Sequence, residues 1–139
     1  MTTPYLKPLP EKAPAFQEFW DAMANKQFTA PKCQSCGDWN WPYYPNCRSC
    51  LSEDLVWTPV SGRATLFSYT IVHRAGGAFG AEVPYVIVMA ELEERPRSMV
   101  VLGNLIGVNH EDIRIGMPLR VAYEAIPDED VTLYRFEAA

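Results

Sequence analysis

Four cysteines, Cys33, Cys36, Cys47 and Cys50, have the spacing in this chain that most clearly predicts chemistry. They form two C-x-x-C pairs with ten residues between them, and the chain contains no other cysteine. Each pair can turn both sulfurs toward one point, and the intervening loop can bring the two points together around a tetrahedral Zn²⁺. Four protein ligands leave no position open for water or substrate. The spacing therefore predicts a structural zinc ion.

Two other interpretations of the cysteines stay open. Iron fits the same four thiolates, and two disulfide bonds would require an oxidising compartment. Residues 1–10 contain three prolines and no apolar run, so they resemble neither a signal peptide nor a membrane span. We therefore expect a cytoplasmic protein whose cysteines bind a metal.

The charge balance argues against a nucleic-acid partner. The chain has 139 residues, with 12 Lys and Arg against 17 Asp and Glu and a formal net charge of −5. Non-specific affinity for nucleic acid comes mostly from neutralised phosphates, and the sequence shows no positive stripe. Aromatic residues in the cysteine loop, Trp39, Trp41, Tyr43 and Tyr44, could nevertheless stack bases. A single-stranded nucleic-acid module is therefore kept as an alternative hypothesis.

The chain divides into a leader with an amphipathic helix at 1–32, a zinc ribbon at 33–58 and a barrel at 59–139. A helix is predicted over residues 12–26, where Pro14 suits the first turn and an apolar stripe follows. The stripe consists of Phe16, Phe19, Trp20 and Met23. It could dock onto the protein's own core or onto another subunit, because three aromatic residues are a large apolar load for one helix.

From residue 60 onward, β-branched and aromatic residues predict five strands. The expected strands are 63–74, 84–94, 98–107, 118–126 and 131–137, with a helical turn at 109–113. Five strands with such a turn after the third predict an OB-fold barrel. The expected fold is mainly β, with an N-terminal helix and a four-cysteine zinc ribbon ahead of a five-stranded OB barrel.

The longest irregular connection joins the first two barrel strands and runs from His73 to Val83. It contains three glycines together with His73, Arg74 and Phe79. Glycines make such a loop mobile or allow a close approach by another molecule. In OB barrels this connection flanks the ligand face. We interpret His73 as a loop or interface residue and not as a general base.

Motifs spread over residues 15–125 resemble a known family. They are Phe19-Trp20, Cys33-x-x-Cys36-Gly37, Cys47-x-x-Cys50, Ser61-Gly62, His73-Arg74, Glu82-Val83-Pro84-Tyr85, Glu91-Leu92-Glu93 and Ile115-Gly116-Met117. In this order they are similar to the proteins that join a rubredoxin-like zinc ribbon to an OB barrel, called domain of unknown function 35 (DUF35). Each motif is weak alone, and the order makes the resemblance specific.

The resemblance implies an accessory subunit that accompanies a thiolase-fold enzyme acting on acyl-CoA thioesters. Members of the family leave catalysis to the thiolase-fold chain, and a hetero-tetramer of two chains of each kind is expected by the same resemblance. Candidate residues for binding CoA or the partner are His73, Arg74, Phe79, Phe19 and Trp20. An arginine fork such as that of Arg74 would match a CoA phosphate, although a solvated arginine explains it equally well.

The residue types in the sequence also argue against a catalytic site formed by this chain alone. Once a metal takes four cysteines no nucleophilic thiol remains, and the only histidines are His73 and His110. A stand-alone acyl-CoA carrier, with the apolar helix and the Gly-rich loop lining a groove, is the third hypothesis.

Overall fold

A computed structural model describes residues 5–139. It contains one α-helix, α1 (Gln17–Ala24), and seven strands. The strands are β1 (Thr29–Cys33), β2 (Leu55–Pro59), β3 (Arg63–Val72), β4 (Tyr85–Leu92), β5 (Val100–Leu105), β6 (Pro118–Ala125) and β7 (Thr132–Ala138). Short 3₁₀ turns lie at Pro14–Phe16, Gly77–Glu82 and His110–Asp112. The first four residues of the predicted proline-rich leader lie outside the described part.

The N-terminal helix is shorter than predicted. Residues 11–13 are irregular, a 3₁₀ turn begins at Pro14, and α1 ends at Ala24 instead of residue 26. The helix stops because Lys26 adopts a left-handed conformation with φ of 57°, and its N–H donates to the carbonyl of Met23 at 2.9 Å. Such a residue closes a helix by satisfying its last free carbonyls.

The apolar stripe of this helix docks onto the protein's own core. Phe19 is only 5% exposed and Met23 is fully buried, whereas Trp20 is half-buried. Phe19 packs against Phe28 with ring centroids 5.5 Å apart and against Trp57 at 5.4 Å. The structure therefore favours the first of the two predicted roles for Phe19 and Met23.

Strands β1 and β2 form an antiparallel hairpin that frames the cysteine loop. Their register pairs Thr29 with Pro59 and Cys33 with Leu55. The hairpin begins at Thr29, four residues before the predicted start of the ribbon. Because Cys33 is the last residue of β1, a regular strand positions the first predicted ligand.

The five remaining strands close into a barrel in the order β3-β4-β5-β7-β6, which confirms the predicted OB-type barrel. Neighbouring strands are antiparallel, except that β5 and β7 run parallel and pair only at Leu105 and Phe136. The 3₁₀ turn His110–Asp112 lies between β5 and β6, where a helical turn was predicted.

The barrel interior is filled by side chains, as expected for a small barrel. Residues that point inward and are buried include Leu66, Val88, Val101, Leu119 and Phe136. Gly103 is required on β5, since a Cβ there would lie 2.7 Å from the Phe136 ring. Helix α1 packs against β7.

The ribbon and the barrel share one hydrophobic core, which also includes α1. At one end of the barrel, Arg95 in the β4–β5 turn forms an ion pair with Asp38 of the cysteine loop. Arg48 donates to the carbonyl of Ser98 in the same turn at 3.3 Å. These contacts attach the cysteine loop to the end of the barrel at which β4 finishes.

Among residues 5–139 we find no helix with both the length and the apolar character that a membrane span requires.

Candidate metal centre and loop surface

The four cysteine sulfurs converge as the spacing predicted. All four Sγ atoms lie within 4.8 Å of one another. Cys33 Sγ is 3.5 Å from Cys50 Sγ, and Cys36 Sγ is 3.6 Å from Cys47 Sγ. A tetrahedral site with metal–sulfur bonds of about 2.3 Å places its sulfurs about 3.8 Å apart. The four residues therefore fit a closed four-thiolate metal site.

Two similar turns aim the sulfurs at this point. The N–H of Gly37 donates to the carbonyl of Cys33 at 2.8 Å, and the N–H of Leu51 donates to that of Cys47 at 2.9 Å. Both residues adopt left-handed conformations, with φ of 78° at Gly37 and 65° at Leu51. The sequence predicts a permissive φ at Gly37. It gives no such signal at Leu51, because leucine rarely adopts this conformation.

Exchanging the residue types at these turns is expected to change stability in opposite directions. Leu51 is 74% exposed, so Leu51→Gly loses little burial and relieves the left-handed backbone, raising the free energy of unfolding by about 0.5–1 kcal/mol. Gly37→Ala has open space for the added Cβ, so it should cost about 1 kcal/mol through backbone strain alone. Urea denaturation of both variants in the metal-loaded state measures the two changes in the free energy of unfolding. A destabilised Leu51→Gly would show that the side chain itself supports the fold.

The buried side chain of Asn40 contacts one of the four cysteines, although the sequence analysis did not single it out. Its side chain is 1% exposed. The Nδ2 group donates to Cys47 Sγ at 3.5 Å, and Oδ1 accepts from the N–H of Arg48 at 2.9 Å. The carboxamide therefore donates to the sulfur through its NH₂ group and accepts from the backbone through its oxygen at once. A polar residue between Trp39 and Trp41 was the sole sequence signal, and it is not specific.

Local hydrogen bonds set the acidity of the thiols. The backbone N–H of Cys50 donates to Cys47 Sγ, and this bond, more than any other, lowers the pKa of Cys47 to about 6. The N–H of Cys36 likewise lowers the pKa of Cys33. Desolvation and the neighbouring sulfurs raise the pKa of Cys36 to about 12. These hydrogen bonds thus favour the thiolate form at Cys47 and Cys33, and a bound metal ion would displace the remaining protons.

Asn40→Ala is expected to weaken metal binding without removing a ligand. Loss of a group that orients a metal ligand typically lowers affinity 10–100-fold, and here it also leaves the N–H of Arg48 without its acceptor. Competition with a chromophoric chelator measures the affinity. Gln34→Ala, an exposed amide in the same loop, is the matched control and should change it less than about twofold. Equal effects of the two substitutions would contradict the role of Asn40.

The predicted loop residues lie away from the metal centre. His73 and Arg74 are exposed directly after β3, and Phe79 is 39% exposed in the turn Gly77–Glu82. Strand β4 begins at Tyr85 beside this loop and ends at the turn that contacts the cysteine loop. The loop and the metal centre therefore lie at opposite ends of the barrel. The roles of His73, Arg74 and Phe79 stay predictions.

The aromatic residues at 39–44 do not offer a row of free faces for nucleobases. Lys32 Nζ covers the Trp39 ring at 5.2 Å. Trp41 packs on the Phe28 ring at 5.3 Å. Tyr43 stacks on Trp57 at 5.6 Å with an interplanar angle of 17°. Tyr44, at 58% exposure, is the side chain of this group that projects furthest into solvent.

A four-cysteine ribbon joined to an OB barrel defines the structural class, and comparisons with known proteins identify the family. The family profile described as "ChsH2, C-terminal OB-fold domain" matches residues 57–124. A DUF35 domain-containing scaffold protein of Pyrococcus furiosus is 31% identical over 99 residues, which cover 71% of this chain and 70% of the relative. The chain belongs to the DUF35 family.

One further relative is a longer protein, and two others have solved structures. The 3-oxo-4,17-pregnadiene-20-carboxyl-CoA hydratase alpha subunit of Mycobacterium tuberculosis is 33% identical over 132 residues; the match covers 95% of this chain and 40% of the relative's length. The solved structure called "Ltp2-ChsH2(DUF35) aldolase" superposes with a TM-score of 0.79 at 26% identity, covering 95% of this chain and 98% of the matched chain. A DUF35 protein of unknown function from Sulfolobus solfataricus has a TM-score of 0.56 at 17% identity and supports the fold alone.

Proposed function

We propose that this chain is a non-catalytic accessory subunit of an enzyme that acts on acyl-CoA thioesters. The main support is the similarity over nearly the whole chain to one chain of the Ltp2-ChsH2(DUF35) aldolase. The name of that complex joins this domain to a second component. One relative is named as the alpha subunit of a CoA-ester hydratase and another as a probable enoyl-CoA hydratase alpha subunit, and both names support a role beside a second subunit.

The residues of the chain support an accessory role because they form no catalytic set. The four cysteines are committed to one cluster. His73 is exposed and His110 lies in a 3₁₀ turn, and neither imidazole has a hydrogen-bonding partner within residues 5–139. A nucleophile activated by a histidine and oriented by an acid is therefore not assembled in the described part. The partner that supplies the chemistry is a thiolase-fold subunit, and the assembly is a hetero-tetramer with two chains of each kind.

The metal in this proposal is a structural Zn²⁺ bound by Cys33, Cys36, Cys47 and Cys50. Zinc suits four thiolates in a tetrahedral arrangement and leaves no coordination position open. Its role is to hold the cysteine loop in the shape that contacts the barrel and α1.

Arg74 is the residue of the Gly-rich loop best suited to contact CoA or the partner. Its guanidinium group is exposed and has no ion-pair partner among residues 5–139. A planar fork of N–H donors matches a phosphate oxygen pair. His73 and Phe79 flank this position on the same loop.

Affinity capture from the native cell extract tests the proposal. The metal-loaded chain serves as bait, and Cys47→Ser serves as a control bait whose ribbon is expected to unfold. A stoichiometric thiolase-fold chain captured by the first bait and absent from the second would support the accessory role. If the folded bait captures no such subunit and the isolated chain binds CoA esters tightly in calorimetry, the stand-alone carrier becomes the better hypothesis.

A further inference from the structure

An aromatic groove lies where α1, the cysteine loop and β7 meet. Its volume is about 380 Å³. Its wall includes three of the four tryptophans, Trp20, Trp41 and Trp57, together with Tyr43. A concave site of this size with largely aromatic walls is suited to one inserted group. The metal centre does not use this groove, because no cysteine lines it.

One charged side chain, Glu11, lines the groove. Glu11 is exposed, and its carboxylate has no hydrogen bond or ion pair within the described chain. Lys12, the cation next to it in sequence, pairs instead with Asp130, and Lys7 pairs with Glu82 at 2.9 Å. The groove thus combines aromatic walls with an unpaired negative charge and has no lysine or arginine in its lining.

We infer that this groove binds an arginine side chain presented by the partner subunit. The inference rests on the proposed function, since the occupant belongs to that partner. A guanidinium group stacks on tryptophan and tyrosine faces and pairs with a carboxylate through parallel hydrogen bonds. The chain's net charge of −5 favours a basic contact surface on the partner. An anionic occupant, such as a phosphate of CoA or a fatty-acid carboxylate, would be repelled by Glu11.

The remaining tryptophan provides an internal reference. Trp39 does not line the groove, and Lys32 Nζ already lies 5.2 Å from its ring centroid. A cation that enters the groove should therefore perturb the indole signals of Trp20, Trp41 and Trp57 and leave that of Trp39 unchanged.

The chemistry of the groove is tested on the isolated, metal-loaded chain. N-acetylarginine methylamide and its neutral isostere N-acetylcitrulline methylamide are titrated at one ionic strength, and the indole signals are followed by NMR. We expect the arginine probe to bind at least about threefold more tightly, and Glu11→Gln to remove that difference. Equal binding of the two probes, or no response from the groove tryptophans, would overturn the inference.

The occupant is tested with the thiolase-fold subunit identified by affinity capture and expressed separately. Glu11→Gln should weaken the complex by about fivefold or more, whereas Glu18→Gln, an exposed acid on α1 outside the groove, should change it less than twofold. An unchanged affinity for Glu11→Gln would overturn the inference while leaving the accessory role intact. If the wild-type chain forms no complex, the proposed function fails, and the arginine–citrulline comparison still decides what the groove recognises.

Discussion

Cys47→Ser is expected to abolish high-affinity metal binding and unfold the cysteine loop. Cys47 is fully buried, and its sulfur accepts hydrogen bonds from Asn40 and from the N–H of Ser49. A loop of this size has little core of its own, so metal binding supplies its folding free energy. The loss should exceed about 5 kcal/mol, a large part of the total stability of a small domain.

Metal content by elemental analysis and near-ultraviolet circular dichroism measure this prediction together. The dichroism reports Trp39 and Trp41, which lie inside the loop. Ser35→Ala is the matched control, because Ser35 lies exposed between the first two cysteines and, among residues 5–139, its hydroxyl bonds only to that of Ser52. The elemental analysis also distinguishes zinc from iron. Native dichroism in Cys47→Ser, or in wild-type protein stripped by a chelator, would show that the loop folds without a metal.

Phe19→Ala is expected to lower the free energy of unfolding by about 3–4 kcal/mol, the cost of a cavity left by a buried phenyl ring. Phe19 contacts the rings of Phe28, Trp41 and Trp57, so it connects α1, the strands and the cysteine loop. For a chain of this length the change corresponds to a fall of roughly 10 °C in melting temperature.

Trp20→Ala provides the comparison for Phe19. Trp20 is half-buried and lines the aromatic groove, so its removal should cost only about 1–2 kcal/mol. Thermal denaturation of both variants, each fully metal-loaded, measures the difference. A wild-type melting temperature for Phe19→Ala, together with a lost partner complex, would instead show that the residue acts at an interface.

The cysteine cluster and the barrel could be predicted from sequence because their signals are local. Two C-x-x-C pairs identify the four residues that cluster, and strand patterns separated by turn residues identify the five barrel strands. The C-terminal end of the helix was predicted two residues too late because it depends on Lys26, and lysine gives no signal for a left-handed conformation.

The parts that sequence could not predict depend on contacts between distant segments. Asn40 supports Cys47 only once the loop has folded over the metal centre. Leu51 takes a conformation that glycine occupies in the first turn, so the similarity of the two turns is visible in the backbone alone. The aromatic groove combines Glu11, Trp20 and Trp57 from three segments, and no local pattern relates them.

The Gly-rich loop and the aromatic groove are formed by different elements of this chain. The Gly-rich loop with Arg74 lies at one end of the barrel, while the end of β4 and the turn after it contact the cysteine loop at the other. Glu11 and the aromatic groove lie beside α1 and β7.

The most direct test of the accessory role is acyl-CoA turnover by three samples: this chain alone, the captured thiolase-fold subunit alone, and the two together. We expect no turnover by this chain, little by the isolated partner, and restored turnover in a stoichiometric mixture. Turnover of an acyl-CoA by this chain alone would contradict the accessory role, and so would full activity of a partner that does not bind the chain.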